Sequence, residues 1–130
     1  MKKYLSIFFT VMLLFNNVMA QPKVAEVIDV LSGTNIENVV RYFDNVVDIT
    51  INDNQSTYSK AQAEMVMKNF FDKNNVSGFQ VKYKGVAPND ESFYLIGDLS
   101  TKGHGAYRVY FFFKQKGKAH VLQEMKFELN

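Results

Sequence analysis

From Phe79 to the C-terminus the chain alternates apolar and polar residues in four successive runs, separated by short turns. Phe79, Val81 and Tyr83 alternate with Gln80, Lys82 and Lys84, and Phe93, Leu95 and Leu99 with Tyr94 and Asp98. Tyr107–Lys114 and His120–Leu129 complete the set. Pro88-Asn89-Asp90, Lys102-Gly103-His104-Gly105 and Gln115-Lys116-Gly117-Lys118 supply the turns. A period of two sends successive side chains to opposite faces of a sheet. Connections this short join antiparallel neighbours, so this half of the chain reads as a meander with one face to be covered.

The preceding segment supplies the cover. Val24, Val27, Ile28 and Leu31 fall at i, i+3, i+4 and i+7 and predict a short helix, with Gly33 as its left-handed cap. Thr34 with Glu37 three residues on reads as a capping box opening a second helical stretch through Val39, Val40 and Phe43. Val46–Asn52 reads as a half-buried strand, with Val47, Ile49 and Ile51 opposed to Asp48 and Thr50, and Asp53-Asn54 as its turn. Ser59 and Gln62 form a second capping box at the head of a helix running to about Lys73. Ala63, Val66, Met67, Phe70 and Phe71 make its apolar stripe, and Asn74-Asn75 closes it. Helices followed by strands indicate an α+β domain, with N-terminal helices packed on a curved antiparallel sheet.

The first twenty residues read differently. Lys2 and Lys3 precede an apolar run from Leu5 to Phe15, and Val18-Met19-Ala20 sets small or branched residues at a cleavage site before Gln21. That is the layout of a secretory signal peptide. The run stops at Asn16-Asn17, short of the roughly 20 apolar residues a membrane span needs. The expected organisation is a signal peptide over 1–20 and one domain over 21–130, exported to a periplasmic or extracellular space, with no membrane span in the mature chain. Without Lys2 and Lys3 the 15 basic residues fall to 13, matching the 13 acidic ones. A nucleic-acid partner, which requires a surplus of Lys and Arg against phosphates, is therefore not expected. The chain has no cysteine, which excludes disulfides, thiolate metal sites, a cysteine nucleophile and a lipid-anchored cysteine. The sequons Asn54-Gln55-Ser56 and Asn75-Val76-Ser77 matter only in a host that glycosylates, and the short signal with no cysteine suits a bacterial periplasm.

The order of elements resembles the cone-shaped nuclear-transport-factor-2-like fold, within the cystatin-like class. Three stretches sharpen the likeness: Tyr42-Phe43-Asp44 with Val47-Asp48-Ile49-Thr50-Ile51; Tyr58 to Glu64; and Tyr107 to Lys114. With Leu122-Gln123-Glu124 they are similar to a family of short exported bacterial proteins whose shared domain has no assigned function. The resemblance implies the fold and the compartment and carries no catalytic residues. In the cone fold the concave side of the sheet and the helices enclose a pocket, which superfamily members use for isomerisation, dehydration or ligand binding, and the fold does not choose among these.

The candidate residues each have a chemical and a plainer account. Asp48, among Val46, Val47, Ile49 and Ile51, would serve as a general base if held in apolar surroundings inside the cone. The plainer account makes it, with Thr50, the solvent side of an alternating strand. Tyr94 or Tyr110 would then donate to a developing oxyanion. Tyr107–Lys114 carries aromatics on both sides, so one side is core against Phe70 and Phe71 while the other, with Arg108, Tyr110 and Phe112, lines a pocket or covers a partner. Arg108 offers a donor fork to an anionic group, or simply pairs with Glu124 or Asp98 across the sheet. Phe112 suits a subunit contact at least as well as a ligand. His104, in a glycine-flanked turn, and His120, at a strand start, have no metal-site spacing, so no metal is expected. No nucleophile elbow and no glycine-rich phosphate loop is present, and nothing implies a cofactor.

These residues describe a non-enzymatic module that binds a small molecule or a protein, expected to be a homodimer through its sheet. The alternatives are a cofactor-free acid–base enzyme of isomerase or dehydratase type using Asp48 in the cone, and a structural protein that pairs an exposed strand edge with another chain.

Overall fold

The computed structural model describes residues 23–89 and 91–130; the segment read as a signal peptide lies outside them. Three helical pieces and six strands follow in order. They are helix α1 (Lys23–Ser32), helix α2 (Ile36–Val39) continuing into a 3-10 turn (Val40–Tyr42), strands β1 (Phe43–Ile51) and β2 (Asn54–Ser59), and helix α3 (Lys60–Lys73). The strands β3 (Val76–Val86), β4 (Ser92–Thr101), β5 (Ala106–Lys116) and β6 (Ala119–Leu129) complete the chain. Among the described residues no helix is long and apolar enough to cross a membrane.

The strands form one sheet in the order β2-β1-β6-β5-β4-β3. The meander from β3 to β6 is antiparallel, as its alternation predicts. The β1–β2 hairpin adds to its far side by a parallel pairing of β1 with β6, so the sheet is mixed rather than wholly antiparallel. No local pattern encodes that pairing, because its partners lie more than 70 residues apart in the chain.

The helices cover one face. Val27 and Leu31 of α1, Ala63, Met67 and Phe70 of α3, and Val47, Ile49, Leu95, Val109, Phe111, Phe113, Leu122, Met125 and Phe127 of the strands bury almost completely in one core. Phe113 stacks on Phe93 at 4.7 Å between ring centroids, and Phe70 meets Phe127 at 4.7 Å and Tyr107 at 5.2 Å. Each such side chain contributes roughly 1.5–3 kcal/mol on leaving water, which explains how a domain without disulfides holds together. Gly97 lets Phe79 lie against the sheet: a Cβ there would stand 2.8 Å from the Phe79 ring and 2.3 Å from the Gln80 carbonyl oxygen. The pairing of β3 with β4 slips beside this contact, between Val81 and Tyr83, and such irregularities bend a sheet.

Several local expectations need correction. The left-handed residue after α1 is Thr34, at φ 52, not Gly33. The cap of α2 is Asn35, whose side chain accepts from the Glu37 amide at 3.0 Å, so the Thr34–Glu37 capping box does not form. Phe43 begins β1 instead of ending a helix. Asn54 opens β2, a strand absent from the sequence reading because Asn-Gln-Ser-Thr-Tyr-Ser has no apolar alternation to announce it. The α3 capping box forms as expected, with Ser59 accepting from the Gln62 amide and Gln62 accepting from the Ser59 amide.

Candidate functional site

Strand alternation divides the candidate residues from the core. On β5, Tyr107, Val109, Phe111 and Phe113 are buried under the helices, whereas Arg108, Tyr110, Phe112 and Lys114 face the other way. On β4 the same rule sends Tyr94, Ile96 and Asp98 to this outer face, and on β1 it sends Asp48 and Thr50 there. Register then builds the surface in rows. Asp48, Glu124, Phe112, Tyr94 and Gly85 form one row from β1 to β3; Thr50, Lys126, Tyr110, Ile96 and Tyr83 form the next. Glu128, Arg108, Asp98 and Gln80 form a third.

The centre is aromatic. Tyr94 and Tyr110 lie nearly parallel, 6.1 Å between centroids and 28° between planes. Gly85 makes room for this: a Cβ at that position would stand 2.2 Å from Cε1 of Tyr94. A glycine inside a strand pattern signals such a close approach, and it was the signal available in the sequence. Lys126 Nζ sits 5.7 Å from the centre of the Tyr110 ring and 3.3 Å from Oε1 of Glu124. Burial pushes the Tyr110 phenol above its ordinary range, and Glu124 pushes it further in the same direction while Lys126 opposes.

Two shallow grooves flank the pair. One, of about 340 Å³, is lined by Lys82, Tyr83, Ile96, Asp98 and Arg108; the other, of about 350 Å³, by Gly85, Val86, Tyr94 and Phe112. Arg108 lies directly between Asp98 and Glu128 across the sheet, and no ion pair within 4.0 Å joins it to either. Glu124, the other expected partner, stands opposite Phe112 instead. Arg108, Tyr110 and Phe112 thus share one face, as their spacing predicts.

The acid–base constellation is not brought together. Asp48 is on the outer face rather than in the cone, because Val47 and Ile49 on either side of it fill the core. Its Oδ1 accepts from Thr57 Oγ1 at 2.6 Å, an ordinary cross-strand contact with β2. Tyr94 stands three strands away from it, roughly 14 Å at the usual strand spacing, and Tyr110 two strands away. Neither tyrosine reaches an atom that Asp48 could deprotonate. The two histidines occupy opposite ends of β5: His104 follows Thr101, whose hydroxyl accepts from its amide, and His120 pairs with Gln115 and packs on Phe93. Strand rise separates them by roughly 30 Å, so they share no metal.

One group escaped the sequence reading. Asp44 is the buried charged residue among those described, at 9% exposure. Lys116 Nζ donates to its Oδ1 at 2.7 Å, Gln123 Nε2 to its Oδ2 at 3.0 Å, and the Asn45 amide to Oδ1 at 2.8 Å. The Lys116 bond, with the other donors, holds the carboxyl below the usual range against the opposing effect of burial. The pairing of β1 with β6 slips between Phe43 and Asp48, and that of β5 with β6 slips at Gln123, so this carboxylate links two irregular stretches of the sheet. Lys116 and Gln123 are distant in sequence, which left no local pattern to find.

A family model described as "Domain of unknown function (DUF4783)" matches residues 24–128. Crystal structures of DUF4783 proteins are similar over most of the chain. One from Bacteroides uniformis is 29% identical, with a TM-score of 0.72, covering 80% of this chain and 94% of that one. One from Bacteroides ovatus is 28% identical, with a TM-score of 0.73, covering 80% and 92%. An NTF2-like protein from Cytophaga hutchinsonii, 10% identical with a TM-score of 0.60 over 86% of this chain and all of the other, shares the fold. Functionally curated proteins give no match.

Proposed function

Because the chain belongs to the DUF4783 family, whose domain has the nuclear-transport-factor-2-like fold and no assigned activity, we propose its role from its own surface: an exported, non-enzymatic binding module that works through the outer face of its sheet. The observation that carries this reading is the aromatic centre of Tyr94, Tyr110 and Phe112, an exposed and two half-buried rings on the face that no helix covers, with Tyr94 laid over Gly85. Monomeric domains seldom leave a contiguous aromatic face uncovered, and aromatic clusters with charged surroundings are what protein interfaces use as anchors.

The partner that suits this face is a second copy of the chain. Toward the β1 side the carboxylates of Asp48 and Glu124 outnumber the one cation, Lys126, and toward the β3 side Lys82 and Arg108 outnumber the one carboxylate, Asp98, in their groove. A two-fold axis along the strands would set the acidic side of one sheet over the basic side of the other, with the aromatics meeting at the centre. Export rests on the leader-like first twenty residues.

Analytical ultracentrifugation tests the reading. The purified protein should sediment as a dimer that weakens with salt. Phe112→Glu should lower the association constant at least tenfold with an unchanged far-ultraviolet spectrum. A wild-type monomer at every concentration, or a Phe112→Glu dimer as tight as wild type, overturns the reading.

A further inference from the structure

On the other face of the sheet, where β1 ends and β5 begins, a cleft of about 320 Å³ opens between α3 and the strands. Ile51, Val66 and Phe70 give it an apolar floor. One wall is fixed by bonds that satisfy its own polar groups: the Tyr107 hydroxyl donates to Asn74 Oδ1 at 3.2 Å, and Asn74 Nδ2 donates to the Phe70 carbonyl at 2.9 Å. Across from it, Asn52 is held at φ 52, its amide donating to the Phe127 carbonyl and its Oδ1 accepting from the Leu129 amide. The donor end of the Asn52 side chain remains for the cleft.

Asn69 and Lys73 line the rim from α3, four residues apart and therefore on one side of the helix. Among the described residues, no carboxylate lines the cleft and Lys73 joins no ion pair. The rim thus offers an ammonium and two amide donors above an apolar floor. Hydrogen bonds from a cation to a carboxylate are about twice as strong as neutral ones, which selects an anion over a neutral group of the same shape.

From this arrangement we infer that the cleft binds a small monocarboxylate with a compact apolar body, its carboxylate against Lys73 and Asn69 and its body on Ile51, Val66 and Phe70. The volume stands near the lower end of ligand pockets, about 300–1,000 Å³, and so suits a single ring or short chain. The site is on the face opposite the aromatic surface, and neither proposal depends on the other.

The test is a titration of the isotope-labelled protein by nuclear magnetic resonance with phenylacetate and with phenylacetamide, which match in shape and differ in charge. Phenylacetate should give saturable shifts centred on residues 51–52, 66–74 and 107, and phenylacetamide should bind at least tenfold more weakly. Lys73→Met should remove that preference and Lys73→Arg should keep it. Lys73 is exposed, so both variants fold, and their spectra verify this. Equal affinity for the two compounds, shifts centred elsewhere, no saturable change, or a Lys73→Met protein that still prefers phenylacetate would each overturn the inference.

Discussion

The ammonium of Lys116 lies 2.7 Å from Oδ1 of Asp44, bridging the start of the first strand and the end of the fifth. Lys116 is about half exposed while the carboxylate is nearly covered, so the pair is an anchored carboxylate rather than a sealed ion pair. The anchor has a pH signature. Asp44 has a lowered pKa in the folded protein, so its contribution is complete above the unfolded value of about 3.9 and disappears as pH falls through the lower folded value. Urea melts from pH 6 down to pH 2 should show wild type losing stability below about pH 4, with a shallower loss in Asp44→Asn. At neutral pH, Asp44→Ala should cost about 1–3 kcal/mol by leaving the donors of Gln123 and Asn45 without their acceptor.

Gly85→Ala probes the outer face without touching a charge. The new methyl needs the space of the Tyr94 ring, which must swing off Tyr110 or strain the β3–β4 pairing. The expected loss is about 1–3 kcal/mol, with a changed near-ultraviolet circular dichroism spectrum. An unaltered spectrum and melting curve would show that the ring does not rest on Gly85.

The Tyr110 phenol should titrate above the ordinary range of a tyrosine, its neutral form favoured by burial and then by Glu124. Glu124→Gln should bring it down, and Lys126→Met should take it further up by removing the one opposing charge. A nuclear magnetic resonance titration of ring-labelled tyrosines in wild type and both variants, with Tyr110→Phe to assign the signal, reads the two directions.

Ser59→Ala should cost about 1 kcal/mol, since the α3 head loses the acceptor of the Gln62 amide. Ser59→Asp should recover most of it, and thermal melts distinguish the three proteins.

What could be read from the chain follows from how far apart the interacting residues lie. Ser59 and Gln62 are neighbours on one turn, so the helix they cap was legible. The faces of β5 were legible too, because alternation alone assigns Arg108, Tyr110 and Phe112 to one side. The capping box was read one residue too early: Thr34 takes the left-handed turn, and the adjacent Asn35, with similar side-chain chemistry, caps α2. Asp48 was readable as a strand residue with two possible faces, and the choice between them required knowing that Val47 and Ile49 lie in the core with Met67 and Phe70. Asp44 remained invisible because Lys116 and Gln123 come from the opposite end of the chain. Tyr94 and Tyr110 showed as aromatics, while their stacking depended on which strand lay beside which.

The parallel pairing of β1 with β6 also dictates an order of assembly. The β1–β2 hairpin has one neighbour in the sheet, and that neighbour is the last of the six described strands in chain order. Until Ala119–Leu129 is available, the apolar sides of Val47 and Ile49 have no sheet to complete, and closure waits on contacts spanning most of the chain. The β1–β2 hairpin therefore cannot join the sheet before β6 has been made. A nascent chain of this protein keeps that side of its sheet open until the eleven residues of β6 are available.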